Sequence, residues 1–271
     1  MAAADRVSRH TTEEKFIFLQ RLLGSYPQMA IAFSGGVDST LLLHAAICAK
    51  GTAEVVAFHL RSPLQAERSE RKCREVLEKN FPDTLRCLTV EMAPLDWPEF
   101  TVNDSSRCYL CKKRMFTAIG EAMQNEGCVL LADGTNGDDI HSSRPGLQAI
   151  VELSVTSPLA DAQLTKLEIR QLAKGCGLTN HDLPANSCLA TRVATGLPIT
   201  RERLALIEMA ETYLEGLGFF GCRVRFHSTY IVIEVMEKDL VAFAKPEIRH
   251  QLQRHFSEIL PLPAMLGLVG R

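Results

Sequence analysis

The chain contains no run of apolar residues approaching the ~20 that a bilayer crossing requires, although 46% of its 271 residues are hydrophobic. Nor does it carry a signal-type apolar block near its start, where Arg6, Arg9, Glu13 and Glu14 are interspersed, so a cytoplasmic protein without membrane contact is expected. An excess of one charge is also missing: 30 Lys and Arg against 32 Asp and Glu leave a formal charge of −2. That balance argues against a nucleic-acid partner held by many phosphate contacts and leaves room for a local basic patch. There is no internal repeat and no low-complexity segment. A chain of this length buries roughly three quarters of its unfolded surface, enough for one large core or two smaller ones.

Cysteine is plentiful, with nine in all, an odd number that fits reduced thiols better than a disulfide framework. Cys48 falls in a helix-like run, Cys128 opens an apolar stretch and Cys222 alternates with Val224 and Phe226, so these three are expected in the core. Cys73, Cys87 and Cys176 have no Cys or His at ligand spacing and are expected to be structural. Cys108, Cys111 and Cys188 remain for chemistry.

Thr11 with Glu14 forms a capping box ahead of an amphipathic stretch carrying Phe16, Leu19, Leu22 and Leu23. Met29 to Phe33 predicts a strand, Ser34-Gly35-Gly36-Val37-Asp38-Ser39 a glycine-rich turn, and Thr40 to Lys50 a helix. Further strands are expected at 54–60, 85–90, 129–132 and in the apolar segment before Ser157, with a charged helix over 66–79. Thr165 and Glu168 cap another helix running through Lys174. Strands alternating with helices favour an α/β fold with a mostly parallel sheet. The segment from Asp182 to Thr200, with Pro184, Gly196 and Pro198, lacks periodicity, so a nucleotide-binding domain over 1–183 and a smaller α+β domain over 184–271 are expected. In the latter, Arg201 to Leu217 predicts a helix with Leu206, Met209, Ala210, Tyr213 and Leu217 on its apolar stripe, followed by strands at 222–227 and 230–235.

A strand that delivers Gly35-Gly36 into a helix N-terminus makes an anion site, because glycine lets the backbone approach closely and the helix end favours negative charge. Ser34, Ser39 and Thr40 can add hydroxyl donors. The string is neither a Walker loop nor a dinucleotide fingerprint. It resembles the pyrophosphate loop of the ATP-pyrophosphatase superfamily, whose members cut ATP between the α and β phosphates and adenylate a substrate. The resemblance implies a Rossmann-like, adenine nucleotide alpha hydrolase-like fold. It also implies that Ser34, Gly35, Gly36, Asp38, Ser39 and Thr40 hold pyrophosphate, with Asp38 near Mg²⁺ and the stretch from Phe58 to Leu60 near adenine. Asp133 to Asp139, with Gly134 and Thr135, is similar to the superfamily's second nucleotide loop.

Cys108-Tyr109-Leu110-Cys111 places two thiols one turn apart, a spacing that suits one metal centre, a redox pair or half a zinc site. The last two lack, respectively, a thioredoxin-like context and a further ligand pair. Cys188 would supply a third thiolate, which suits a [4Fe–4S] cluster with one iron open to an extra sulfide. None of His59, His141, His181 and His227 is paired at metal spacing.

More narrowly, the chain resembles the LarE family, sulfur transferases that thiolate a pyridinium biscarboxylate mononucleotide on the way to the nickel-pincer cofactor of lactate racemase. The matching strings are the ATP loop, Cys108 to Lys112, Gly134 to Asn136, Arg144 to Leu147, Ser157 to Leu159, Cys188 to Arg192 and Arg223 to His227; the ending from Leu266 to Arg271 matches only loosely. In the family one type surrenders sulfur from a single cysteine matching Cys188, and the other carries three cysteines that bind an iron–sulfur cluster; this chain has the three-cysteine pattern. The resemblance implies a homo-oligomer such as a hexamer.

Alternation over Cys222 to His227 puts Arg223, Arg225 and His227 on one strand face, either a solvated face or a phosphate site. The family favours substrate phosphate binding, with Arg192 as helper, and Glu211 as a catalytic-site carboxylate. The resemblance thus implies that ATP adenylates a substrate carboxylate, cluster-held sulfide attacks the activated carbonyl, and AMP and pyrophosphate leave. A tRNA thiolase of the same superfamily, sacrificial transfer from Cys188, and a non-catalytic carrier are the alternatives; the charge of −2 disfavours the first.

Overall fold

The computed structural model describes residues 10–140, 145–184, 187–267 and 270. His141, Arg144 and the N-terminal Arg6 and Arg9 lie outside the described residues. The chain forms two compact units. The first comprises Met1–Ser62, Glu67–Met92 and Cys108–Ala185, the second Pro63–Ala66, Ala93–Arg107 and Asn186–Arg271.

In the first unit four strands, β1 (Met29–Phe33), β2 (Val55–Arg61), β3 (Arg86–Glu91) and β4 (Leu130–Ala132), form an all-parallel sheet in the order β3-β2-β1-β4. The parallel sheet is what the alternating pattern predicts, and its Rossmann-like arrangement is what the resemblance implies. The strand order reverses between β1 and β4, and the crevice beyond the carboxyl ends of such a pair is where open α/β sheets take ligands.

Period-two alternation sorts β1 and β2 between two cores. Met29, Ile31, Phe33, Val55 and Ala57 pack with helices α1 (Thr12–Ser25), α2 (Val37–Lys50), α3 (Glu67–Asn80) and α5 (Lys166–Gly175). Ala30, Val56 and Phe58 pack with Phe116 and Ile119 of α4 (Arg107–Gln124) and with Ile150 and Val155. Burying a side chain such as the fully enclosed Phe58 contributes about 1.5–3 kcal/mol. Both capping boxes form, Thr11 with Glu14 and Thr165 with Glu168.

Two expectations need correction, and one helix was not foreseen. Helix α2 starts at Val37 rather than Thr40, because Thr40 N already donates to Gly36 O. The apolar segment before Ser157 is a helix, Gly146–Glu152, followed by one parallel bridge from Thr156 to Ala132. Its buried Gly146, Ala149 and Ile150 have helical spacing, which a short apolar run does not distinguish from a strand. The 18-residue α4 behind Cys108 was not expected; its buried face carries only Phe116 and Ile119 among charged neighbours.

In the second unit, β5 (Arg223–Phe226) and β6 (Ile231–Glu234) are antiparallel, and β7 (Ala264–Leu266) joins β6 in parallel. Helix α6 (Arg201–Gly216) is capped by Thr200, and α7 (Pro246–Ile259) begins with proline at its first position. The stripe α6 buries is Leu204, Ile207, Ala210, Glu211 and Leu214, one ridge away from the expected one, and Met209 is exposed. Asn103, fully buried with φ +62°, donates to Ala194 O at 2.9 Å and Leu197 O at 2.7 Å, tying residues 93–107 to this unit. Among the described residues no helix is long and apolar enough to cross a membrane.

Candidate nucleotide and thiol sites

The turn after β1 is built for an anion. Gly35 has φ +71°, and a Cβ there would come within 2.8 Å of Cys73 Cα, so glycine is required on both conformational and steric grounds. Gly36 is the N-cap of α2 and supplies no side-chain acceptor, which leaves the first-turn N–H groups available to a ligand. Ser39 Oγ donates to Gly36 O (3.1 Å) and accepts from Ser34 N (3.2 Å), bracing the turn. Thr40 is fully buried, and its hydroxyl donates to Gly36 O at 2.8 Å, so it shapes the loop from inside.

The loop after β4 closes on the same helix end. A Cβ on Gly134 would stand 3.0 Å from Ser39 N, tighter than ordinary contact, so glycine eases this approach. The buried Asp133 carboxylate accepts from Thr135 Oγ1 (2.7 Å), Thr135 N (3.1 Å) and Ser157 Oγ (2.8 Å), and lies 3.5 Å from Lys112 Nζ. Asn136 Nδ2 donates to Asp38 Oδ1 at 3.4 Å, and Lys166 Nζ forms an ion pair with Asp38. Asp38, Gly134 and Thr135 are thereby gathered with the glycine turn. Near the end of β2, Phe58 is buried, while His59 Nε2 lies 2.9 Å from Glu70 Oε2 and Nδ1 lies 3.1 Å from Phe33 O.

The chemistry-bearing thiols belong to both units. Cys108 is exposed and Cys111 half-buried near the start of α4. Beside them, Glu152 accepts from Lys113 Nζ (2.8 Å), Tyr109 Oη (2.6 Å) and Gln148 Nε2 (2.7 Å), which hold its carboxyl down at about 2. Cys188 is half-buried at the N-cap of a short 3₁₀ turn, Leu189–Arg192. Among the described residues, no group of three His, Cys, Asp or Glu side chains is arranged to hold a metal ion.

The other thiols divide differently from expectation at one position. Cys128 and Cys222 are buried, but Cys48 is exposed, because the buried residues of α2 lie on its other faces; its Sγ lies 3.6 Å from His44 Nε2. Burial pushes the Cys73 thiol up to about 12, helped by the charges of Glu70 and Cys87, and pushes Cys87 up to about 11.

In the second unit Arg192 is 4% exposed and Glu211 1% exposed. Arg192 Nε donates to Glu211 Oε1 at 3.0 Å and Nη2 to Oε2 at 3.3 Å, while Nη1 donates to Ser187 O (2.6 Å) and Cys188 O (3.1 Å). Glu211 Oε1 also accepts Val224 N from β5 at 3.1 Å. Arg223 and Arg225 alternate with buried Val224 and Phe226; Arg225 Nε donates to Glu234 Oε1 (2.5 Å) and its Nη1 to Thr191 O (3.0 Å).

Sequence reasoning named Asp133 only as the start of the second loop and did not single out Lys166 or Asn180. Lys166 left one signal, a lysine at the first position of a helix, where its charge opposes the dipole.

The parallel sheet and the anion-shaped glycine turn at its reversal point define a Rossmann-like α/β protein. No protein-family model matches the chain. Among known proteins, an uncharacterised protein of Synechocystis sp. is 34% identical over 258 residues, 95% of each chain. Pyridinium-3,5-bisthiocarboxylic acid mononucleotide synthase of Lactiplantibacillus plantarum is 31% identical over 246 residues, 90% of this chain and 88% of that one. An uncharacterised protein of Methanocaldococcus jannaschii is 32% identical over 213 residues, 79% of each chain. The chain belongs to the family of that synthase, the LarE family.

Proposed function

We propose that the protein is an ATP-dependent sulfur transferase that converts a carboxylate of a pyridinium biscarboxylate mononucleotide to a thiocarboxylate in nickel-pincer cofactor synthesis. The observation that carries this reading is the helix α2 N-terminus left open by Gly36, beside the Asp38–Lys166 pair, in a chain 31% identical to the synthase. A substrate carboxylate oxygen attacks the α-phosphorus of ATP, the bond to the β-phosphate breaks, and pyrophosphate is held by the N–H groups of the turn, with Lys166 as counter-charge. Hydrosulfide then attacks the acyl carbon, and AMP leaves with the C–O bond electrons, a far better leaving group than hydroxide.

Asp38 is the residue whose carboxylate would hold Mg²⁺, an oxygen-seeking ion that would supply positive charge against the phosphates. By residue type and the three-cysteine pattern of the sequence, Cys108, Cys111 and Cys188 are the thiolates that would hold a [4Fe–4S] cluster. Such a cluster supplies a store of sulfide when bound. Arg223 and Arg225 offer guanidinium donors for the substrate phosphate, with Arg192 and Glu211 shaping the segment that carries Cys188. A cytoplasmic homo-oligomer belongs to the same proposal.

The test is product formation. Protein incubated anaerobically with ATP, Mg²⁺, sulfide and the mononucleotide should release AMP and pyrophosphate in equal amounts with the thiocarboxylate. Failure to release pyrophosphate under those conditions sinks the reading.

A further inference from the structure

We infer that Asn180 is a positioning residue for pyrophosphate, acting through the Gly35–Gly36 peptide. This rests on the proposed nucleotide reaction. Asn180 is 0% exposed and lies in the loop that follows α5. Its Nδ2 donates to Gly35 O at 2.9 Å and to Thr40 Oγ1 at 2.9 Å. Thr40 Oγ1 in turn donates to Gly36 O, so one amide group holds two consecutive carbonyls of the turn, one directly and one through a hydroxyl.

A trans peptide is planar, with its C=O and N–H pointing in opposite directions. Fixing Gly35 O toward Asn180 therefore turns Gly36 N–H to the other side of the chain, away from the core. There, among the described residues, it makes only a 3.4 Å contact with Ser34 Oγ, which leaves it ready for a stronger acceptor such as a phosphate oxygen. Gly35 at φ +71° could otherwise flip this peptide with little penalty, since glycine is comfortable in either hand.

Two further observations support a role beyond packing. Asn180 Oδ1 is buried with no hydrogen-bond partner among the described residues, a cost that an apolar side chain would not incur. The loop carrying Asn180 is also pinned on both sides. Asn80 accepts from Thr179 N (2.8 Å), and Arg170 donates to His181 O and Leu183 O, both at 2.7 Å.

The experiment measures binding of inorganic pyrophosphate with Mg²⁺, and separately of AMP, by calorimetry on the full chain, for wild type, Asn180→Ala and Asn180→Asp. Asn180→Ala should weaken pyrophosphate about tenfold while AMP binding stays within about twofold, the loss expected for one mis-aimed donor to a charged group. Asn180→Asp puts an acceptor against Gly35 O and should weaken pyrophosphate further. Equal weakening of both ligands would mean a merely structural role and would overturn the inference, as would unchanged pyrophosphate binding. Absence of pyrophosphate binding by wild type would overturn the proposed reaction as well, so the two failures differ. If the variants do not fold, amide exchange in the wild type decides: Gly36 N–H should become protected only on adding pyrophosphate, and continued fast exchange refutes the assignment.

Discussion

Lys166, the first residue of α5, sets its ammonium against the carboxylate of Asp38 in the first turn of α2. A lysine at that position opposes the dipole of its own helix, whereas the aspartate suits the end of α2. The pair therefore brings a cation to the place where phosphate charge would accumulate. Lys166→Met should weaken pyrophosphate binding about tenfold or more, and Lys166→Arg should recover part of it. Titration calorimetry checks this, and equal affinity in Lys166→Met removes the lysine from the site.

The Arg192–Glu211 pair makes a different prediction. Each group is almost wholly enclosed, so removing one leaves an uncompensated buried charge, at a cost of about 3–5 kcal/mol. Glu211→Ala and Arg192→Ala should each lose about that much in urea unfolding, and the double variant should lose less than their sum. Simple additivity would show that the two residues act independently.

Stability should also depend on acid through Glu168. Burial raises its carboxyl, but the bonds from Lys15 Nζ (2.8 Å) and from Thr165 outweigh burial and leave it below the ordinary 4.5. A group depressed in the folded state contributes fully above the unfolded value and fades as pH falls through the folded one. Glu168→Gln keeps the capping box and should cost about 1–2 kcal/mol at neutral pH. That gap should close as pH drops below 4.5; a gap that persists in acid would point to packing.

The thiols are tested by iron content and by mass. Anaerobic reconstitution should give roughly four irons per chain, and Cys108→Ala should lose most of them. Intact mass after turnover should be unchanged. Loss of sulfur from Cys188, with no iron bound by wild type, would favour sacrificial transfer.

The parts legible in the sequence are those whose logic is local. Met29 to Lys50 reads as strand, turn and helix because the signals are contiguous, and both capping boxes follow a four-residue pattern. Lys166 and Asn180 reach the glycine turn from 128 and 145 residues away, a relation set by the sheet order rather than by spacing. Strand β7 has three residues and pairs in parallel, too short to show alternation. On α6, apolar counting turned the stripe because Glu211, an acid, occupies a core position secured by Arg192 and Val224. Cys48 looked like core because nearly all its helix neighbours are.

The close approach of Gly35 to Cys73 gives the molecule a built-in clock. A protonated thiol shut beneath the turn is dark to alkylating reagents, and each labelling event at Cys73 counts one lifting of that turn. When reagent outpaces reclosing the labelling rate reads the opening frequency, and otherwise it reads the population of the open turn. A ligand that seats on the turn must slow the clock in proportion to its occupancy.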